Sequence, residues 1–244
     1  MSLAEADSRG RREQLAEALA AVQQRIALTC QQVGRDPEKV TLVVVTKRFP
    51  ASDLAHLVSL GVTEIGENRD QEIRAKLDEL AEIDPRARAA LRVHMIGQVQ
   101  TNKAASVVSY ADVVHSVDRE RLVAALSRAA EQQRREVELL VQINLDGAKG
   151  RGGVAPDQVM ALAQSVVAAP GLRLRGVMSV APLGADPGAA FATVAHLAQQ
   201  MRREWPEASV MSAGMSHDLE EALAHGATHL RVGSAILGSR SQTR

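Results

Sequence analysis

The chain has 244 residues, 45% of them apolar and 2% aromatic, with 29 basic and 29 acidic side chains and a formal net charge of zero. That length suits one large α/β unit with a core of Leu, Val, Ile and Ala, while the charge balance and the scarcity of aromatic platforms argue against nucleic acid or an anionic membrane as partner. Cys30 is alone, which excludes an intramolecular disulfide and four-cysteine zinc sites; no apolar run approaches the roughly 18 residues that span a bilayer and no signal-peptide pattern is present, so a soluble cytoplasmic protein is expected.

Residues 1–10 are expected to be disordered, with Arg9, Arg11 and Arg12 as the solvated approach to a helix. From about 11 to 33, Leu15, Leu19, Val22, Ile26 and Val33 recur at helical spacing and predict a leading helix. After Gly34 and Asp36-Pro37, the stretch 40–46 (VTLVVVT) is apolar on nearly every residue and β-branched, as in a strand buried on both faces of a parallel sheet. The alternation then continues as helix 52–60 and strand 62–65, helix 69–82 and strand 91–96, helix 101–109 and strand 112–116, and helix 119–134 and strand 137–144. It closes with helix 156–168 and strand 172–180, helix 186–205 and strand 209–212, and helix 217–225 and strand 229–232. Eight strands separated by helices predict a single (β/α)8 TIM-type barrel with an extra N-terminal helix, the rival being an open doubly wound sheet. No Pro-, Gly- or Ser-rich linker divides residues 1–244, so one domain is expected.

In such barrels the site lies at the carboxyl ends of the strands. The residues there are Lys47 after strand one, Gly66, Glu67 and Asn68 after strand two, and Gly97 after strand three. Asn144 follows strand five, Met178 lies at the end of strand six, Gly214 to Ser216 follow strand seven, and Arg231, Gly233 and Ser234 end strand eight. A lysine amine at the mouth of a semi-dry barrel is a candidate for Schiff-base chemistry, because its neutral form attacks aldehydes and desolvation or a neighbouring cation favours that form. Closure pairs strand eight with strand one, so Arg231 is expected beside Lys47 as that cation. The loops after strands seven and eight open onto helix starts, where amides and the Ser216 and Ser234 hydroxyls can meet a phosphate. Ser216 also reads as an N-cap, with Asp218 and Glu220 expected to face solvent.

Other patterns carry less. Gly226 breaks the His225/His229 spacing, so no metal site is expected, and the Gly147–Gly153 stretch lacks the end of a Walker motif and reads as a lid or plain loop. His94 reads as a hydrogen-bonded core residue, and Ser216, His217 and Asp218 are chain neighbours rather than a triad.

With these positions set, VVVTK at 43–47, IGEN at 65–68, HMIGQVQTNK at 94–103, LRGVM at 174–178, MSAGMSHDLEEAL at 211–223 and LRVGSAILG at 230–238 occur in order. Together they resemble the pyridoxal phosphate homeostasis protein family, single-barrel relatives of the alanine racemase N-terminal domain, of fold type III. The resemblance implies that Lys47 carries pyridoxal 5'-phosphate (PLP) as an internal aldimine and that Arg231 faces the pyridine nitrogen. It also implies that Ser216, Gly233 and Ser234 bind the phosphate, with Asn68 and Met178 at the cofactor. It further implies a monomeric or weakly dimeric carrier that serves PLP-dependent apoenzymes rather than a dedicated enzyme, with an amino-acid racemase as the alternative. An arginine at the ring nitrogen weakens the electron sink. The related racemases draw a second base, a tyrosine, from a further domain; here Tyr110 lies at a helix end and the chain stops at Arg244, so neither that base nor that domain is expected. The chain departs from the family pattern at Arg69 and Gln98, away from the expected cofactor contacts, and Gln100 and Lys103 read as a solvated helix start.

Overall fold

The computed structural model describes residues 3–238 except 149 and 183. Thr41–Val45 forms β1, and seven further strands follow: β2 (Glu64–Glu67), β3 (Arg92–Met95), β4 (Val113–Val117), β5 (Val137–Ile143), β6 (Leu172–Ser179), β7 (Val210–Ser212) and β8 (His229–Val232). All neighbours are parallel and the sheet closes in sequence order, with Thr41 opposite His229, Val43 opposite Arg231 and Val44 opposite Val232. The predicted barrel is therefore present, and the open sheet is not.

Alternation along the strands sends side chains to two different cores. Val44, Ile65, Val93, Val114, Leu139 and Val177 face the helical layer and join the large apolar cluster there. Inside the barrel, Val113, Leu140, Met178 and Val210 pack together as a smaller cluster. The outer layer consists of α1 (Leu3–Gln32), α2 (Ala51–Ser59), α3 (Asp70–Ile83), α4 (Pro85–Ala90), α5 (Ala104–Tyr110), α6 (Glu120–Gln133), α7 (Val159–Val167), α8 (Pro187–Glu204), α9 (Leu219–Ala224) and α10 (Ser234–Leu237).

The helix α1 starts at Leu3 and takes in residues 3–10 of the segment 1–10 expected to be disordered; residues 1 and 2 lie outside the described residues. It buries Leu15, Leu19, Val22 and Ile26, while Val33, outside its end, is exposed. Three arginines then tie this segment to the rest of the chain. Arg11 pairs with Asp53 and donates to the Leu237 carbonyl (3.2 Å); Arg25 pairs with Glu220 and donates to the Ser216 carbonyl (3.1 Å); Arg35 donates to the carbonyls of Leu223 and Ala227. The short α4 was not anticipated, although Asp84 accepts from the amides of Arg86 and Ala87 and Pro85 occupies its first turn, both ordinary helix-start signals. No helix among the described residues is long and apolar enough to cross a membrane.

Candidate functional site

A cavity of about 420 Å³ opens at the carboxyl end of the barrel, within the size range of small-molecule sites. Lys47, Asn68, Met178, Ser216, Arg231, Gly233 and Ser234 all line it, so the seven positions singled out from the sequence meet in one place. Val45, Ile96, Val180 and Met215 add apolar wall, and Gly97 and His217 complete the lining.

Lys47 lies two residues past β1, on the same side as Val45 by strand alternation. The opposite face of the preceding residue is clamped: Thr46 Oγ1 donates to Glu67 Oε1 (2.7 Å), and Lys76 Nζ from α3 donates both to that oxygen (2.6 Å) and to the Thr46 carbonyl (2.8 Å). Burial pushes the Glu67 carboxyl up, against the pull of Lys76 and the Thr46 hydroxyl. The chain turns sharply after Lys47 because Arg48 takes a left-handed conformation (φ 68°), its amide donating to the Glu72 carboxylate.

Arg231 does not stand level with Lys47 as expected, because its Cα is registered opposite Val43, four residues earlier in the chain. Its guanidinium is held at the cavity by Ser212 Oγ (2.6 Å, from Nη1) and the Ser179 carbonyl (2.8 Å, from Nη2). Burial lowers its pKa to about 10, with Asp218 pulling the other way, so it remains a cation at neutral pH.

The two serines meet across the loops after β7 and β8: Ser234 Oγ donates to Ser216 Oγ (3.1 Å), and the Ala235 amide points at the same oxygen (3.4 Å). Gly214 lets the loop after β7 lie close against α9. It has φ 90°, and a Cβ there would lie 2.7 Å from that of Ala222. Gly233 is needed for closure, since a Cβ would sit 3.0 Å from the Val45 carbonyl oxygen. Ser216 does not cap α9, which begins three residues later beside Asp218. The acids do not simply face water either: Asp218 accepts from the Met215 amide (2.6 Å) and Glu220 is held by Arg25 (2.8 Å).

Other expected positions lie elsewhere. Asn144 caps its own loop by accepting from the Gly147 amide (3.1 Å), and the glycine-rich stretch returns to pair Val154 with Ile143. Gln98, Gln100, Lys103 and Arg69 border a neighbouring recess of about 500 Å³. The Tyr110 hydroxyl is directed at Met95 Sδ (3.8 Å), away from the cavity lining, and burial, with Asp70 close by, pushes its ionisation far up. His94 is indeed a buried hydrogen-bonded residue, touching His115 and Glu64. Among the described residues no cluster of three or more His, Cys, Asp or Glu side chains is placed to hold a metal ion.

A closed parallel barrel with a lysine amine, a buried guanidinium and paired hydroxyls converging at its carboxyl mouth defines a small-molecule-binding (β/α)8 protein. Within that class the chain belongs to one family, alanine racemase, N-terminal domain, whose model matches residues 17–241. It is 41% identical over 243 residues to a pyridoxal phosphate homeostasis protein of Mycobacterium tuberculosis, covering 94% of each chain. Among solved structures it is similar to PipY of Synechococcus elongatus with PLP bound, at 31% identity and TM-score 0.78, covering 92% of this chain and 100% of that one. A protein from Bifidobacterium adolescentis gives TM-score 0.87 at 29% identity, covering 93% of this chain and 96% of that one.

Proposed function

We propose that the chain is a single-domain cytoplasmic protein that holds PLP through Lys47 and takes part in keeping that cofactor available to PLP-dependent apoenzymes, without running a reaction of its own. The observation that carries this reading is the convergence of Lys47, Arg231, Ser216 and Ser234 on one cavity. The donor set fits the group. Val45, Ile96, Met178 and Val180 offer apolar walls to a flat ring, the Arg231 cation suits an unprotonated ring nitrogen, and Ser216, Ser234 and nearby amides suit phosphate oxygens.

When bound, PLP supplies an aldehyde carbon to which an amine nitrogen bonds with loss of water, and a ring that draws electron density from it. Lys47 would supply that amine from a backbone fixed by Lys76 and Glu67. Arg231, a cation that gives up no proton at neutral pH, would leave the ring nitrogen unprotonated and the electron sink weak, which suits storage better than turnover. Tyr110 is remote and offers no second base.

The test is the visible spectrum of purified protein incubated with PLP, followed by borohydride reduction and peptide mapping. The expected result is an absorption band lost in Lys47→Ala and a reduced adduct on the Lys47 peptide. A Lys47→Ala protein that absorbs like the wild type would overturn it. His217, which lines the cavity, motivates a second reading as an amino-acid racemase. Lys47-dependent deuterium exchange at the α-carbon of an amino acid in heavy water would favour that enzyme over the carrier.

A further inference from the structure

A row of buried polar side chains runs through the barrel from the end opposite the cavity. Glu64, the first residue of β2, meets His94 Nε2 on β3; His94 Nδ1 meets His115 Nε2 on β4 (2.7 Å); His115 Nδ1 meets Ser212 Oγ on β7 (3.1 Å); and Ser212 Oγ accepts from Arg231 on β8 (2.6 Å). His94, His115 and Ser212 are completely buried, whereas the Glu64 side chain keeps 21% of its surface exposed at the far mouth. None of these four residues lines the cavity, and of them only Ser212, which seats Arg231, bears on the proposed carrier site.

The chemistry of the donors permits only certain proton arrangements. Arginine only donates, so Ser212 Oγ accepts at one end, and a carboxylate only accepts at the other. With both imidazoles neutral, the Ser212 hydroxyl donates to His115 Nδ1, His115 Nε2–H to His94 Nδ1, and His94 Nε2–H to Glu64, so every donor points away from the cavity. Adding one proton reverses the middle of the row. His94 then donates from both nitrogens, His115 becomes the other tautomer and donates from Nδ1 to Ser212, and the Ser212 oxygen is shared between His115 and Arg231.

We propose that Glu64, His94, His115 and Ser212 form a proton-linked positioning relay, which reports protonation at the far mouth of the barrel to Arg231 at the cavity. The neutral row gives Arg231 an undivided acceptor and a firm seat. The charged row divides that acceptor and brings a second positive charge toward the guanidinium, loosening it. The surrounding charges are Arg92 on β3, Glu138 on β5, Arg175 on β6 and His229 on β8; Arg92 and Arg175 both pair with Glu138, and the His229 ring stands 6.3 Å from that of His94. Burial, then the His94 and Arg231 charges, hold His115 well below the ordinary histidine range, in keeping with its part as a tautomer switch rather than the seat of the charge.

The test has two arms, and only the second rests on the PLP reading. In protein labelled with ¹⁵N-histidine and free of cofactor, added acid is expected to change the His94 and His115 ring nitrogens together in one step, with His115 swapping tautomer. Glu64→Gln is expected to move that step to lower pH, because the carboxylate no longer favours the imidazolium. A His115 that keeps one tautomer throughout, or a midpoint unmoved in Glu64→Gln, would overturn the relay. In the second arm, PLP affinity is expected to weaken about threefold below the same midpoint, the size of one compromised hydrogen bond. That break should move with Glu64→Gln and vanish in Ser212→Ala, which ionisation of PLP itself would not do. Affinity that ignores both substitutions would overturn the coupling to the cavity, whereas failure to bind PLP at all would sink the cofactor reading and leave the histidine result standing on its own.

Discussion

Lys76 Nζ donates to the main-chain carbonyl of Thr46, at 2.8 Å, and so fixes the peptide that leads into Lys47. The same ammonium neutralises Glu67, a carboxylate with no exposure to water. Lys76→Met removes both services and strands a buried charge, which typically costs about 3–5 kcal/mol. Urea denaturation should show a loss of that order, and Glu67→Gln combined with Lys76→Met should recover part of it.

The paired hydroxyls of Ser216 and Ser234 provide a second handle. Ser216→Ala and Ser234→Ala should each weaken PLP binding roughly tenfold, the value of a hydrogen bond to a charged acceptor. Pyridoxal, which lacks the phosphate, should bind the variants and the wild type equally in an absorption titration. The double variant should lose less than the product of the two effects, since the hydroxyls already bond to each other.

Acid should destabilise the fold in a defined window. Burial, followed by the His94 charge, lowers His229 to about 4 against the pull of Glu64. A histidine whose folded pKa lies below its unfolded value of about 6.5 lets the unfolded chain take up the proton first, so stability is complete above that value and falls as the pH drops toward 4. The loss from this group between pH 7 and pH 5 is ~2 kcal/mol. Urea midpoints at pH 7 and pH 5 should differ accordingly, and His229→Gln should flatten the difference.

Arg48 holds a left-handed backbone that costs an L-residue about 1 kcal/mol. Arg48→Gly should leave the thermal midpoint unchanged or raise it, while Arg48→Val, β-branched at positive φ, should lower it. Equal midpoints for the two variants would show that the turn relaxes to another conformation.

What could be read from the sequence follows the range over which each signal acts. β1 was legible because a strand buried on both faces is apolar at every position, and the seven cavity residues were legible because closure of a parallel barrel gathers strand ends. β2 was displaced in the reading from Glu64–Glu67 to 62–65, since Glu67 looks like a surface residue until its partner Lys76, a helix away, is placed. The His94–His115 contact depends on the register between β3 and β4, which spacing along one chain does not determine. Ser216 matched a capping pattern, yet its oxygen was claimed by Ser234, eighteen residues later.

Arg11, Arg25 and Arg35, near one end of the chain, grip carbonyls at Leu237, Ser216, Leu223 and Ala227, near the other. During synthesis those arginines emerge from the ribosome long before the carbonyls they hold, and Lys47 is made before Arg231 exists. A nascent chain therefore exposes the lysine amine to solvent with neither the guanidinium nor the hydroxyls that line its cavity, and a complete pocket forms only when the last strand docks.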